Sequence, residues 1–362
     1  MTNVYLWLEP DVDGKLIYHP GQLLKGTVEL KLKSSKNFRG LSIKIFGSAQ
    51  TQWKETKWTK KRGRTRTFEG KEVYLNSTTH IFGQEDGPDL EISAGVHKYE
   101  FACQLPQHLP YSVTLKYAEI NYYVEVVLDI PWQFDKEIKI PIKIMPYEDL
   151  NLCQNLKVSQ TFEISQCTCS ILCIPGSLMM TAHLPCTGFA VGHEVTIDID
   201  YVNKSHINVS ATKVTLYRKI QYISQKPSRK TKTEKQIMLV ASSVGVKAGI
   251  THSFGMSFKI PTGILCSNKG YCKTASISYS MRIESVLSSY YPNPEVRFPV
   301  TIGTIPIRVG SLLSQTMTSF MELPSNSIEE EVAEEFPPPF NEALKELEKQ
   351  RLTLMETPRN VV

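Results

Sequence analysis

This 362-residue chain is short of several things, and each shortage narrows what it can be. No run approaches the roughly 18 apolar residues that a membrane-spanning helix needs. The nearest, SILCIPGSLMM from Ser170, is brief and is broken by Pro175 and Gly176. The N-terminus, MTNVYLWLEPDVDGK, lacks the cationic start and apolar stretch of a secretion signal, so the chain is expected to begin in the cytosol. In that reducing setting the eight cysteines are expected to stay thiols, and the sequons at Asn76, Asn203 and Asn208 to be accidental.

Catalytic signatures are missing too. None of the eight histidines lies in HExxH, and no GxSxG elbow, P-loop or GxGxxG occurs. His19, His97 and His252 sit in strand or turn contexts and read as structural. The expectation is a non-enzymatic protein without cofactor or metal. One local run, Cys167, Cys169 and Cys173 in CTCSILC, invites a zinc reading. Its spacing lacks the paired C-x₂₋₄-C ligands with a second pair elsewhere, so buried thiols are preferred.

Helical periodicity is nearly absent before residue 340. What replaces it is strict alternation of apolar and polar residues, the pattern of strands half buried in a sandwich. Val28, Leu30 and Leu32 alternate with Thr27, Glu29 and Lys31, and Leu41, Ile43 and Ile45 with Ser42 and Lys44. In the second half Val195, Ile197, Ile199 and Tyr201 alternate with Thr196, Asp198 and Asp200, and Ile277, Tyr279, Met281 and Ile283 with Ser278, Ser280 and Arg282. The fold class is therefore all-β.

The halves also resemble each other. AGVHKYEFACQLP from Ala94 parallels AGITHSFGMSFKIP from Ala248, INYYVEVVLDI from Ile120 parallels ISYSMRIESVL from Ile277, and YHPGQLLKGTVELKL from Tyr18 parallels FAVGHEVTIDIDYVN from Phe189. One duplicated sandwich accounts for this order, with domains expected at 1–148 and 158–310, a linker at 149–157 and a tail at 311–362.

Charge divides the chain as well. The net charge is +5, but residues from Ser311 onward carry about −6 and the body about +11. The tail shifts to Ser, Glu and Pro and is expected to be disordered when free, with a short helix from Asn341 that needs a partner.

These runs, taken in order, identify the chain as similar to the arrestin domain-containing proteins, or α-arrestins. YHPGQLLKGTVELKL, GLSIKIFGSAQTQW and GVHKYEFACQLPQHLPYS resemble segments of the arrestin N-domain, and GFAVGHEVTIDIDYVN, FKIPTGIL and FPVTIGTIPI resemble their C-domain counterparts. Val191 stands where the family usually has a proline before its glycine. The resemblance implies two tandem immunoglobulin-like β-sandwiches. It also implies an adaptor in membrane-protein traffic whose sandwiches engage cargo tails and whose PPxY motifs recruit WW domains of HECT-type ubiquitin ligases. The expected location is the cytoplasm, peripherally at the plasma membrane or endosomes.

Two segments are candidates for those contacts. In EEFPPPFNEAL, Pro337, Pro338 and Phe340 occupy the places of the two prolines and the tyrosine of PPxY, with the hydroxyl missing. The segment 54–71 is read as a loop that places Lys60, Lys61, Arg62, Arg64 and Arg66 between Trp58 and Phe68. It suits acidic cargo tails, phosphorylated peptides or anionic membrane, where each basic residue contributes about 1 kcal/mol. A second basic run, KPSRKTKTEK from Lys226, reads as a hairpin tip in the other sandwich. Nucleic acid is not expected, because no groove-reading or stacking module accompanies the charge. A ubiquitin-independent endosomal sorting scaffold is the alternative reading.

Overall fold

The computed structural model describes residues 2–10, 14–59, 62–84, 87–169, 175–268, 270–288 and 291–308. The tail, with Pro337, Pro338, Phe340 and the expected helix, lies outside them, as do Lys60, Lys61 and Cys173. The described residues form twenty strands and two single 3₁₀ turns. The first half holds β1 (Thr2–Leu8), β2 (Ile17–Tyr18), β3 (Leu23–Leu32), β4 (Lys36–Phe38), β5 (Gly40–Thr59), β6 (Arg62–Gly83), β7 (Leu90–Ile92), β8 (Gly95–Gln104), β9 (Val113–Thr114), β10 (Ala118–Asp129) and β11 (Lys136–Ile144). The second holds β12 (Gln160–Cys169), β13 (Pro175–Leu184), β14 (Gly188–Ala190), β15 (Glu194–Asn203), β16 (Val209–Ser224), β17 (Lys230–Val246), β18 (Thr251–Lys259), β19 (Ala275–Leu287) and β20 (Glu295–Gly303).

Alternation in the sequence becomes alternation in burial. Val28, Leu30 and Leu41 are wholly buried, as are Ile197, Ile199 and Tyr201 in the second half, while their polar neighbours face out. Two face-to-face sheets per half follow from this, because each strand offers one apolar face and needs an opposite one. The sheets run β1-β3-β8 against β2-β11-β10-β5-β6, and β12-β13-β15-β18 against β14-β20-β19-β16-β17. A two-stranded β4-β7 pair stands apart.

Duplication is legible in fine detail. Each larger sheet has one parallel pairing, β2 with β11 and β14 with β20, at the same place in its strand order. Gly21 and Gly192 occupy equivalent turns with φ of 78° and 79°, a left-handed conformation that suits glycine. The Tyr122 hydroxyl donates to the Pro110 carbonyl at 2.6 Å, and its counterpart Tyr279 donates to Leu265 at the same distance. Tyr122 lies across Gly47, where any added Cβ would collide with the ring.

Between the sandwiches the chain makes two 3₁₀ turns, Leu150–Leu152 and Gln154–Leu156, the first capped by Asp149 accepting from the Asn151 amide at 2.8 Å. Asn203 is 1 % exposed and donates to the Ile207 and Lys247 carbonyls, a burial incompatible with a glycan. Cys167 corrects the expectation of buried thiols, since it is exposed on β12 beside the β12–β13 turn. Its side chain emerges on the solvent side of an edge strand, a position that alternation alone does not assign. Among the described residues no group of three or more His, Cys, Asp or Glu could hold a metal, and no helix is long and apolar enough to cross a membrane.

Candidate anion-binding seam

The segment read from sequence as a loop is paired strand. β10 accompanies β5 only as far as Thr51, yet β5 and β6 stay in register out to Thr59 opposite Arg62. The excess forms a two-stranded ribbon projecting beyond the sheet. Its root is closed by Trp53 and Phe68, paired across the strands with ring centroids 5.5 Å apart and nearly parallel planes, both buried. At the outer end the Trp58 ring lies over Gly63, where a Cβ would meet it at 3.0 Å.

Directly opposed residues share a face of a ribbon. Trp53 faces Phe68, Glu55 faces Arg66, and Lys57 faces Arg64, so Lys57, Arg64 and Arg66 lie on one side with the aromatic root. Thr56 and Thr65, whose hydroxyls bond at 2.9 Å, occupy the other side with Trp58. Of the five basic residues singled out from sequence, the structure brings Arg64 and Arg66 to this shared face. It gives only the backbone pairing of Arg62, and Lys60 and Lys61 lie outside the described residues.

The second basic segment turns out to be the ribbon's partner. It forms the β16–β17 tip and leans on β6 across the sandwich boundary. The Glu69 amide donates to the Lys226 carbonyl at 2.8 Å, and the Gln225 and Lys226 amides donate to the Glu69 carbonyl at 2.7 and 2.9 Å. The Thr51 hydroxyl donates to the Ile223 carbonyl at 3.1 Å. This approach requires Gly70, since a Cβ there would stand 2.5 Å from the Ile223 oxygen. Lys230 reaches back to donate to the Glu55 carboxylate and sits 4.9 Å over the Phe68 ring. Glu55 also accepts from the Trp53 indole at 3.0 Å. The Lys230 ammonium, followed by the indole donor, holds the Glu55 carboxyl below the usual carboxylate range.

The result is a cleft of about 240 Å³ lined by Glu55, Lys57, Arg66, Phe68, Ser228, Arg229 and Lys230. Its single carboxylate is already engaged by Lys230. Lys57, Arg66 and Arg229 remain solvent-exposed, with no acidic partner within ion-pair distance among the described residues. Such an arrangement suits an anion whose several oxygens accept charge-assisted hydrogen bonds. Lys57, Arg229 and Lys230 were missed as members of one site because they lie about 170 residues apart in sequence. The period-two spacing of Arg62, Arg64 and Arg66 was the available strand signal, masked by the absence of apolar residues.

A second, larger concavity of about 1130 Å³ lies on the outer face of the β2-β11-β10-β5-β6 sheet. Phe46 and Tyr123 are cross-strand neighbours with centroids 5.3 Å apart, with Lys44 over the first ring at 5.5 Å and Lys139 over the second at 3.4 Å. In the other sandwich the equivalent face places Tyr217 between the guanidinium groups of Arg282 and Arg297, at 5.4 and 5.1 Å.

Residues 9–151 match the model of the arrestin (or S-antigen) N-terminal domain, and residues 174–307 match that of the C-terminal domain. The chain belongs to the arrestin domain-containing family. This α-arrestin is 26% identical over 337 residues to arrestin domain-containing protein 17 of Caenorhabditis elegans, covering 89% of the chain and 75% of that protein. It is 24% identical over 299 residues to human arrestin domain-containing protein 1, covering 81% of the chain and 63% of that protein. Mouse arrestin domain-containing protein 4 matches at 23% over 304 residues, covering 81% and 70%. Membership supports a trafficking-adaptor role for the α-arrestin in general terms.

Proposed function

We propose that this α-arrestin is a non-enzymatic cytoplasmic adaptor, acting peripherally at the plasma membrane or endosomes, that links membrane-protein cargo to WW-domain HECT-type ubiquitin ligases. The observation that carries the cargo side is the seam. Two basic hairpins from different sandwiches meet there through backbone hydrogen bonds and leave Lys57, Arg66 and Arg229 free around one cleft. Acidic or phosphorylated cargo tails present the matching chemistry, and anionic headgroups present a weaker version of it. Arg64, opposite Lys57, extends the same positive field along the ribbon, and the sequence adds Lys60, Lys61 and Arg62 to the charge of this segment.

The ligase side rests on Pro337, Pro338 and Phe340. Three consecutive prolines favour the polyproline II form that WW grooves accept, and Phe340 keeps the ring of the motif's tyrosine. The missing hydroxyl costs about 0.5 to 1.5 kcal/mol, roughly three- to tenfold in affinity. Titration of a tail peptide against WW domains, beside its Phe340→Tyr form, tests the point. Both are expected to bind, the tyrosine form more tightly, and binding by neither refutes tail-mediated recruitment.

Phe340 also favours one rival, a sorting scaffold that works without ubiquitin. Affinity purification of the full chain and of a chain ending at Gly310 separates the two. Recruitment through the tail requires the ligase to vanish on truncation, whereas the scaffold keeps its partners.

A further inference from the structure

The far end of the first sandwich carries a feature that neither the seam nor the tail explains. The turn between β10 and β11, residues 130–135, holds Trp132 and Phe134 at 94% and 98% exposure. These are large apolar side chains with almost no contact to the protein. The turn is nonetheless built. The Gln133 amide donates to the Ile130 carbonyl at 3.2 Å, the Ile130 amide to the Asp135 carboxylate at 3.4 Å, and Ile130 itself is buried. Trp132 adopts φ of 59°, the single non-glycine residue with positive φ among the described residues. A bulky residue in that region is strained, and strain of this kind persists where the surroundings enforce it and marks functional segments.

Charges at the base are largely matched. The Arg39 guanidinium lies 3.8 Å from Asp129 and 3.9 Å from Asp89, and the Arg39 amide donates to the Asp129 carbonyl. Lys136 donates to the Thr2 carbonyl. Lys33 and Lys36, beyond the end of β3, have no ion-pair partner among the described residues, while Glu91 lies on the strand paired with that of Lys36 and Glu137 follows Lys136 in β11. The tip is thus near neutral and apolar, unlike the ribbon.

We propose that this turn is a bilayer wedge, with Trp132 and Phe134 inserting at the headgroup boundary of a membrane. A protein partner fits less well. Two rings offer roughly 300 to 500 Å² together, below the roughly 800 Å² that each partner buries in a standard specific protein interface. The turn is convex and borders none of the clefts described above. Aromatic side chains, tryptophan above all, settle at the water–bilayer boundary, and a rigid turn inserts them without an ordering cost. This inference rests on the proposed peripheral membrane role but assigns the contact to a different, apolar element.

Flotation of the full chain with phosphatidylcholine vesicles, with and without phosphatidylserine, tests it. Wild-type protein is expected to float with both, with tryptophan emission shifted to shorter wavelength and quenched by brominated lipid. Trp132→Ser/Phe134→Ser, at positions that contribute nothing to the core, is expected to melt like wild type and to bind at least about tenfold more weakly. Lys57→Glu/Arg66→Glu is expected to lose only the phosphatidylserine-dependent increment. Unchanged flotation of the aromatic double variant overturns the wedge. So does binding that requires phosphatidylserine and disappears in the ribbon variant, an outcome that would leave the seam's anion reading intact. Loss of a co-purifying protein by the aromatic variant, with flotation unaltered, would show a protein contact instead. Absence of flotation in every protein, with cargo and ligase still captured, would remove the wedge and leave the adaptor standing.

Discussion

Replacing Gly70 with alanine tests whether the two hairpins hold the sandwiches together. The added methyl would stand 2.5 Å from the Ile223 carbonyl oxygen, 2.6 Å from the Thr51 hydroxyl and 3.4 Å from a Thr274 methyl. Thr51 can rotate away, but a strand carbonyl cannot, so β6 and the β16–β17 tip must part. That separation breaks three backbone hydrogen bonds between Glu69, Gln225 and Lys226 and the Thr51 bond to Ile223. At about 0.5 to 1.5 kcal/mol net for each, with two of the bonds sharing the Glu69 carbonyl, the loss is about 2 to 4 kcal/mol. Each sandwich keeps its own buried strands, so the effect is local opening rather than global unfolding. Hydrogen exchange at the Glu69, Gln225 and Lys226 amides is expected to accelerate at least about thirtyfold, while core amides such as that of Val124 keep their protection. Equal exchange in variant and wild type would refute the claim that this contact joins the halves.

Phe68→Ala removes one of the stacked rings at the ribbon root and is expected to destabilise the first sandwich by about 3 kcal/mol or more in urea melts. Tyr122→Phe and Tyr279→Phe each leave a carbonyl without its donor, at Pro110 and Leu265; both should lose about 1 to 3 kcal/mol, and similar losses from the two would confirm the duplicated role. Alkaline stability follows from burial, which pushes the Cys266 thiol up to about 11 and the Tyr279 phenol up to about 12. Both groups keep their protons in the folded chain at pH values where the unfolded chain has lost them. Their contribution is therefore complete below about pH 9 and is lost as pH rises towards 12, at about 1.4 kcal/mol per group per pH unit. Chemical melts across that range check the slope, and a flat profile would contradict it.

The sandwiches were written plainly into the chain. Every inward residue of the runs at Val28, Leu41, Val195 and Ile277 is buried, because a half-buried strand has no other way to satisfy a period of two. The paired runs at Ile120 and Ile277 likewise foretold two copies of one sheet. The ribbon was harder to see. RGRTRTF alternates as a strand does, but with arginine and threonine in place of valine and isoleucine, so its pairing comes from the partner strand rather than from a core. The seam was not legible at all. Nothing local in KPSRKTKTEK says that its carbonyls meet Glu69, because contacts between distant segments are decided by how two finished sandwiches abut. Trp132 and Phe134 were equally silent, as aromatic residues in a short apolar-looking stretch resemble core until the turn is known.

β6 is the last strand of its sheet, and at 22 residues it is long for an edge. An unpaired border of that length invites another chain to add itself there. Here Lys226 caps it at Glu69, and Arg62, Arg64 and Arg66 recur along the outer stretch. The same positive residues that suit the seam to acidic ligands therefore also act as gatekeepers against strand-to-strand association. Neutralising them would be expected to reduce solubility along with ligand capture, so charge reversal is the safer way to separate the two roles.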